Sequence, residues 1–218
     1  MLVKFEIGGN LRFLSHLEQM VMFQRACIRA GVPIAYTQGF NPHPIMSIPL
    51  PRPVGVESID DLFCLKIKSS KADFIEEQFG NEFSKQMPEG FKLNSISVNP
   101  SKKIPAPQKA IYFLPVKKTI LDDNNRSDTL KNKISGLLTE KSILVTRGAE
   151  EKSRRIKKVD VRTFIDDIEL GEKGVTIRCQ ISGGGSIRVD EIMDLLGLTV
   201  EDLAGAVRRT SVEWNLDN

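Results

Sequence analysis

The chain has 218 residues, a formal net charge of +3 and a sequence pI of about 8.7. Its apolar fraction of 40% is enough for a buried core, and its length suits one large domain or two small ones. No secretory leader and no run of about 20 apolar residues is visible, so we predict a cytoplasmic protein without a membrane contact. The small excess of basic residues is only weak support for a polyanionic partner.

The beginning of the chain predicts a strand followed by a well-delimited helix. Apolar and polar residues alternate over residues 2–7, as in a half-buried strand. A helix is predicted over about 15–30, because Ser15 and Glu18 match the S-x-x-E capping box and Gly31 can end the helix. The apolar residues that we predict on its buried face are Leu17, Met20, Val21, Cys27 and Ile28.

A long loop rich in proline follows the helix. Gly39 can take a positive φ, while Pro42 and Pro44 restrict Asn41 and His43 towards extended conformations. A disordered linker would be rich in serine, glycine and charge. This loop contains apolar side chains instead and is predicted to pack and to be ordered; they are Phe40, Ile45, Met46, Ile48 and Leu50.

The elements after this loop complete a first module. We predict a short edge strand within 44–51, a buried strand over 62–67, a helix from Ser70 to about Met87 and a strand over 91–98. With the first strand and helix, the order is β-α-β-β-α-β, which is the ferredoxin-like plan.

The second half predicts the same plan again. Residues 100–108 are rich in proline and lysine and read as a semi-rigid linker. The predicted fold is therefore α+β, with two ferredoxin-like modules in tandem at residues 1–99 and 109–218. In the second module, strands are predicted at 110–116, 142–146, within 159–170, at 175–182 and at 207–214, and helices at 127–139, 189–196 and after the Thr199–Asp202 cap signature.

Basic residues concentrate in the second module. From Arg147 to Arg162 there are seven basic residues and three acidic ones. Such a cluster suits contacts with phosphates, but it also suits a solvated loop, and the sequence leaves both interpretations open. Aromatic side chains for base stacking are sparse there. The residues of this region that we assign to RNA contacts are Arg154, Arg155, Lys157, Lys158 and Arg162.

Three segments of the chain, LRFLSHLE, RAGVPIAYTQGFNPHPIMSIPLPRPVGVES and KKVDVR, resemble a bacterial family of uncharacterised proteins, the radical SAM-linked domain. Its members are encoded beside, or fused to, a B12-binding radical SAM protein. The resemblance covers nearly the whole chain, with Glu18 where the family motif leads us to expect aspartate. It implies an accessory to a B12-binding radical SAM protein. The chain lacks the C-x-x-x-C-x-x-C spacing of the radical SAM cluster, and we predict no cofactor of its own.

The two histidines of the chain lie within these motifs. His16 or His43, with Glu18 or Glu57, would serve as an acid–base pair, but their spacing is not that of a metal site and we predict none. A purely structural interpretation, in which His43 satisfies loop carbonyls and His16 helps to cap its helix, is the first choice for the histidines taken alone.

We predict one functional face, built from residues 12–16 and 36–52. Arg52 is the only cation of the loop and is assigned an anion contact. Asp160 and Arg162 are expected to close the site from the second module. The residues assigned to ligand or RNA binding on this face are Arg12, Ser15, Tyr36, Gln38, Phe40, Asn41, His43 and Arg52.

Three functions fit these observations. We favour a non-catalytic accessory of a radical SAM enzyme that binds RNA or presents a substrate. The alternative enzyme is a metal-independent endoribonuclease using His16 or His43. Tandem ferredoxin-like modules resemble the CRISPR repeat-processing endoribonucleases of the RAMP superfamily, and residues 183–185 loosely match their glycine-rich segment. The third candidate is a protein module whose 36–58 loop docks on the radical SAM partner.

Overall fold

The computed structural model describes residues 1–68, 72–98, 103–148 and 156–215, and of residues 72–78 only the backbone. This part of the chain is mixed α+β, with ten strands and five α-helices. It divides into a first unit, Met1–Pro107 with Trp214–Asn218, and a second unit, Gln108–Glu213. No helix within the described ranges is long and apolar enough to cross a bilayer. The predicted cap at Ser70 lies outside the described residues.

The first unit follows the predicted order of elements, β-α-β-β-α-β. β1 (Leu2–Ile7) pairs antiparallel with β3 (Glu57–Leu65) on one side and with β4 (Phe91–Ser97) on the other, and β2 (Met46–Ser47) pairs with the end of β3 at Cys64 and Leu65. A 3-10 helix at Gly9–Phe13 precedes the first α-helix. The elements are β1 (Leu2–Ile7), α1 (His16–Arg29), β2 (Met46–Ser47), β3 (Glu57–Leu65), α2 (Ala72–Lys85) and β4 (Phe91–Ser97).

A group of stacked phenylalanine rings forms the core of this unit. Phe23 of α1 stacks on Phe63 of β3 with the ring centroids 4.5 Å apart, and meets Phe5 of β1 edge-on at 5.0 Å. All three side chains are fully buried, as is Phe83 of α2. Each aromatic pair adds about 1 kcal/mol to what burial alone contributes. Phe23 therefore determines which side of α1 faces the sheet.

The face of α1 that packs on the sheet differs from the predicted one. Leu17, Val21 and Ile28 were predicted to be buried but are 76%, 43% and 54% exposed. The prediction was wrong because α1 is apolar around most of its circumference, so its periodicity does not choose a face. The residues that the fold buries are Gln19, Phe23, Ala26 and Cys27.

Both predicted ends of α1 are confirmed. The Ser15 hydroxyl accepts from the backbone N–H of Glu18 at 3.3 Å, and the Glu18 carboxylate accepts from the backbone N–H of Ser15 at 2.8 Å. At the other end, Gly31 has a φ of +69°, the left-handed conformation that glycine adopts without strain. The capping signals are local, and local sequence is sufficient to read them.

In the second unit, four neighbouring strands follow the order β10 (Arg208–Asn215), β5 (Ala106–Pro115), β9 (Gly174–Gln180) and β8 (Ile165–Gly171), and β6 (Leu144–Arg147) pairs with β7 (Lys157–Asp160) in a separate ribbon. The single strand predicted within 159–170 is in fact two strands, β7 and β8, because a 3-10 helix at Arg162–Phe164 separates them. The Thr199–Asp202 cap opens a 3-10 helix, Val200–Asp202, and not an α-helix. The elements are β5 (Ala106–Pro115), α3 (Lys118–Leu121), α4 (Asn124–Thr139), β6 (Leu144–Arg147), β7 (Lys157–Asp160), β8 (Ile165–Gly171), β9 (Gly174–Gln180), α5 (Val189–Leu196) and β10 (Arg208–Asn215).

Candidate functional site

The residues predicted to form one face lie in two groups, at opposite ends of β3. Near the start of β3, the carbonyl oxygen of Arg12 accepts from the N–H of Gly55 at 2.8 Å. Beyond the end of β3, Ala35 donates to the carbonyl oxygen of Lys66 at 2.8 Å. β3 has nine residues, so about 26 Å of strand separates the two groups. The fold therefore does not bring together His16, at the start of α1, and the loop that carries His43.

The first group surrounds Arg12. Its Nη1 donates to the carbonyl oxygen of Gly9 at 2.9 Å and lies 3.7 Å from Oε1 of Glu57. The guanidinium also covers the ring of Phe13, 4.4 Å from its centroid. These contacts hold the 3-10 helix in place. The Arg12 side chain keeps 29% of its surface exposed, so part of it remains accessible to a ligand.

Arg52, predicted to contact an anion, is buried among carbonyl oxygens. Only 3% of the residue is exposed. Its Nη1 donates to the carbonyl oxygens of Arg12 at 2.8 Å, Pro53 at 3.2 Å and Val56, and its Nη2 donates to that of Leu11 at 3.2 Å. Through these hydrogen bonds, the guanidinium links the turn that follows Arg52 to the 3-10 helix. This position favours a structural role over the predicted anion contact.

The N-terminus of α1 is capped by its own residues. The hydroxyl and the backbone N–H of Ser15 both donate to Glu18, and these hydrogen bonds hold the pKa of that carboxyl below its usual value. A carboxylate therefore occupies the positive end of the helix, where an anionic ligand would otherwise bind. His16 is exposed in the same turn. The capping box competes with the ligand role that we predicted for Ser15.

The second group is a hairpin formed by residues 36–44, called the 36–44 hairpin below. Tyr36 and Pro44 form an antiparallel bridge at its base. The N–H of Thr37 donates to the carbonyl oxygen of His43 at 2.8 Å, and the N–H of His43 donates to the Thr37 hydroxyl at 2.9 Å. His43 is thus held by its backbone, and its imidazole stays at the surface.

The tip of the 36–44 hairpin presents an aromatic ring to solvent. Phe40 is 112% exposed, so the prediction that it packs within the loop was wrong. Because the two arms bond to each other, the tip extends away from the pairing with β3. Gly39 beside it has a φ of +125°, a conformation that other residues rarely adopt. Gln38 and Asn41 flank the ring and are also exposed.

Residues 159–162 (VDVR) of the second unit form hydrogen bonds with the end of α4. Arg162 donates to the carbonyl oxygens of Leu138 at 2.9 Å, Glu140 at 3.0 Å and Ile165 at 2.7 Å. The carboxylate of Asp160 accepts from the N–H of Ile143 at 2.9 Å, and this bond and others from Ser142 and Arg162 lower its pKa. Both predicted site residues of this segment are therefore engaged within their own unit.

The basic residues of the β6–β7 ribbon divide into engaged and exposed ones. Arg147 forms a bidentate ion pair with Glu191, in which Nε lies 2.6 Å from Oε1 and Nη2 lies 2.8 Å from Oε2. Burial raises the pKa of Glu191, but its hydrogen bonds to Arg147 and Arg188 outweigh burial and lower it overall. Lys157 and Lys158 are exposed on β7. Arg154 and Arg155 lie outside the described residues.

Residues 1–190 match the model of DUF2344, a family of uncharacterised proteins conserved in bacteria. The chain belongs to the DUF2344 family. The expected membership of an uncharacterised bacterial family is confirmed, whereas the family match says nothing of radical SAM proteins. No curated protein matches this DUF2344 chain.

The DUF2344 chain shows no assembled reaction centre among its described side chains. Within those ranges no group of three or more His, Cys, Asp and Glu side chains is arranged to hold a metal ion. The described side chains also do not provide a pair of histidines for the endoribonuclease interpretation, because His16 and His43 belong to different groups. The long-range hydrogen bonds of Arg52 and Arg147 were not predicted from the sequence. No local signal could have revealed them, because the partners lie up to 44 residues away.

Proposed function

We propose that this protein is a non-catalytic accessory that docks on a partner protein through the 36–44 hairpin. Phe40 is the observation that carries the proposal, because a fully exposed aromatic ring stands at the tip of a hydrogen-bonded hairpin. Burying a phenylalanine side chain in a partner contributes about 2 kcal/mol or more. Aromatic anchors surrounded by polar residues are typical of the residues that dominate protein interfaces. Gln38, Asn41 and His43 would form that polar rim.

The backbone of the hairpin supports the same proposal. Two reciprocal hydrogen bonds between Thr37 and His43 close its base, and Pro42 and Pro44 fix two of its φ angles. A loop that is ordered before binding loses less conformational entropy on binding. The hairpin is therefore suited to insertion into a preformed pocket.

As the partner, we propose the B12-binding radical SAM protein that the resemblance implies. The chain would then present a substrate to that enzyme or position it. We also propose the ferredoxin-like plan for both units. The strand orders β4-β1-β3, with β2 on β3, and β10-β5-β9-β8 support it, with the β6–β7 ribbon as an addition to the second unit.

The test is the affinity of the purified chain for the purified radical SAM protein, measured by calorimetry. We expect Phe40→Ser to weaken binding at least tenfold, since the ring would supply most of the anchor energy. Ile104→Ser is the matched control, because Ile104 is also an exposed apolar residue of the first unit but lies outside the predicted functional face. Equal affinity of wild type and Phe40→Ser would contradict the proposed docking surface. Absence of binding by the wild type would show that the radical SAM protein is not the partner.

RNA binding by the β6–β7 ribbon is a second candidate function. Its supporting observation is that Lys157 and Lys158 are adjacent and exposed, while Arg147, directly opposite Lys157, is neutralised by Glu191. Exposed ammonium groups suit phosphate contacts. Arg154 and Arg155 remain predicted contacts.

This second candidate is tested by RNA affinity as a function of salt concentration. Replacing Lys157 and Lys158 by glutamine should reduce the slope of log K against log salt by about 0.7 for each lost phosphate contact with a single strand. Lys131→Gln is the control, because Lys131 pairs with Asp128 on the surface of α4. A slope unchanged by the double replacement would show that the ribbon does not contact the phosphates.

A further inference from the structure

The outward face of α1 carries an apolar stripe of regular spacing. Leu17, Val21 and Ile28 are 76%, 43% and 54% exposed, and Gln24 stands between the last two. The spacing 17-21-24-28 alternates four and three residues, which is the spacing of a coiled-coil seam. Because the opposite face of α1 packs on the sheet through Phe23, this stripe is directed away from the core of its own unit.

The positions beside the stripe carry charges of opposite sign at its two ends. Glu18 follows Leu17, and Arg25 follows Gln24, so both occupy the same flank of the seam, one heptad apart. Both side chains are exposed. The acid lies at the N-terminal end of the flank and the base at the C-terminal end.

The direction of a partner helix follows from this arrangement. When two identical helices pair antiparallel around a two-fold axis, each flank faces the same flank of the other helix in reverse order. Glu18 then meets Arg25 of the partner subunit, and Arg25 meets Glu18 of the partner subunit. A parallel pair would instead place this flank against the opposite one, which carries Met20 and Cys27. The charges are therefore self-complementary only in the antiparallel arrangement.

We propose that α1 pairs antiparallel with α1 of a second copy of this chain. The two-fold axis passes between Val21 and Gln24, so that Leu17 packs on Ile28 of the partner subunit and two Glu18–Arg25 ion pairs flank the seam. The contact is isologous and closes at two copies. Glu18 retains its capping role, because Ser15 occupies only Oε2 and a carboxylate accepts several hydrogen bonds.

The length of the seam limits the strength of this dimer. From Leu17 to Ile28 the helix extends about 17 Å, which is short for an interface of the standard size of about 800 Å² per partner. We therefore expect a dissociation constant in the range of about 10 to 500 μM. The association should be measured on the full chain by sedimentation equilibrium, over concentrations up to about 1 mM.

The apolar part of the seam is tested by Leu17→Ser, which should weaken the dimer at least tenfold. The matched control is Leu144→Ser, because Leu144 is 63% exposed on β6, in the other unit. It should leave the dissociation constant unchanged. Circular dichroism of each variant establishes that it is folded.

The charged flank gives a sharper test. Arg25→Glu alone and Glu18→Lys alone should each weaken self-association about tenfold, because like charges then face each other twice. An equimolar mixture of the two variants should recover a heterodimer. Since Glu18→Lys also removes the capping box, Glu18→Gln provides a second variant that keeps the box and loses only the charge; it should weaken the dimer about threefold and reduce its salt dependence.

Three results would overturn the proposal. The first is a wild-type chain that stays monomeric up to about 1 mM. The second is a dimer that Leu17→Ser and Arg25→Glu leave unchanged, since another surface would then form it. The third is a mixture of Arg25→Glu and Glu18→Lys that associates no better than either variant alone, which would exclude the antiparallel pairing.

Discussion

Arg52 and Arg162 illustrate how the two units use arginine to stabilise irregular backbone. Each guanidinium donates to at least three backbone carbonyl oxygens, which are the acceptors left over where a helix or turn ends. A guanidinium has five donors in a rigid plane, so one side chain satisfies several carbonyls at once. At the scale of residues, the charge of a side chain therefore does not indicate whether it binds a ligand.

Removing the Arg52 side chain should destabilise the first unit strongly. We expect Arg52→Ala to lower the free energy of unfolding by about 3 kcal/mol, since several buried carbonyl oxygens lose a charged donor. Urea unfolding measures this change. The control is Arg178→Ala, which removes an exposed ion pair with Asp167 and should cost less than about 1 kcal/mol. Similar losses in the two variants would contradict the role given to Arg52.

The ion pair between Arg147 and Glu191 predicts a pH dependence of stability. The pKa of Glu191 in the folded chain lies below its ordinary value of 4.5, so ionised Glu191 stabilises the fold. This contribution is complete above pH 4.5 and is lost as the pH falls through the lowered pKa. The difference in melting temperature between wild type and Glu191→Gln should therefore be constant from pH 7 to about 5 and shrink below that. A difference that stays constant down to about pH 3 would contradict the stabilising role of this ion pair.

At the scale of elements, the ends of α1 could be predicted from the sequence, but the face of α1 that packs on the sheet could not. The capping box at Ser15 and the helix end at Gly31 depend on neighbours within a few residues, so the sequence contains all of their causes. The buried face of α1 depends on which apolar stripe meets Phe5 and Phe63, and these lie on other strands. Likewise, the apolar character of Phe40 indicated burial, but the hydrogen bonds of the hairpin place it in solvent.

The turn between β8 and β9 depends on one glycine. Gly174 has a φ of +147°, and a Cβ there would collide with the carbonyl oxygen of Leu114 on β5. We expect Gly174→Ala to lower the free energy of unfolding by about 3 kcal/mol, because both the backbone conformation and the close approach of β5 exclude a side chain. Gly171→Ala is the matched control in the same turn. Its Cβ would come no closer than 3.7 Å to the carbonyl oxygen of Gly174, so its effect should stay below about 1 kcal/mol.

At the scale of the whole molecule, each unit contains its own buried thiols. Cys27 lies in the first unit and Cys179 in the second, both essentially without exposure, and burial raises the pKa of each to about 12. Cys64, also in the first unit, has its pKa raised to about 11. Alkylating reagents attack the thiolate, so these residues should react only when their unit opens.

This distribution of thiols turns alkylation into a reporter for each unit. At pH 8 the native chain should incorporate almost no iodoacetamide. We expect Arg52→Ala to accelerate labelling of Cys27 more than that of Cys179, and Gly174→Ala to do the reverse, as resolved by mass spectrometry of the peptides. Equal acceleration of both cysteines in both variants would mean that the two units open together.

The order of elements in the first unit and the α+β class follow from periodicity, turns and caps, which act over a few residues each. The separation of the predicted site into two groups could not be predicted in the same way. It depends on the segment from Ile45 to Gly55 returning along β3, which no spacing in the sequence encodes. The order of the elements could therefore be predicted from the sequence, while the distance between the two groups of predicted site residues depends on the fold.

The closed base of the 36–44 hairpin has a consequence for the kinetics of association. Because the hairpin is ordered before it meets a partner, no slow folding step should limit the encounter, and the association rate should depend only on diffusion and orientation. Removal of the Phe40 ring would then leave the association rate nearly unchanged and shorten the lifetime of the complex. Breaking the base with Thr37→Val, which removes the acceptor of the His43 N–H, would instead slow the association itself.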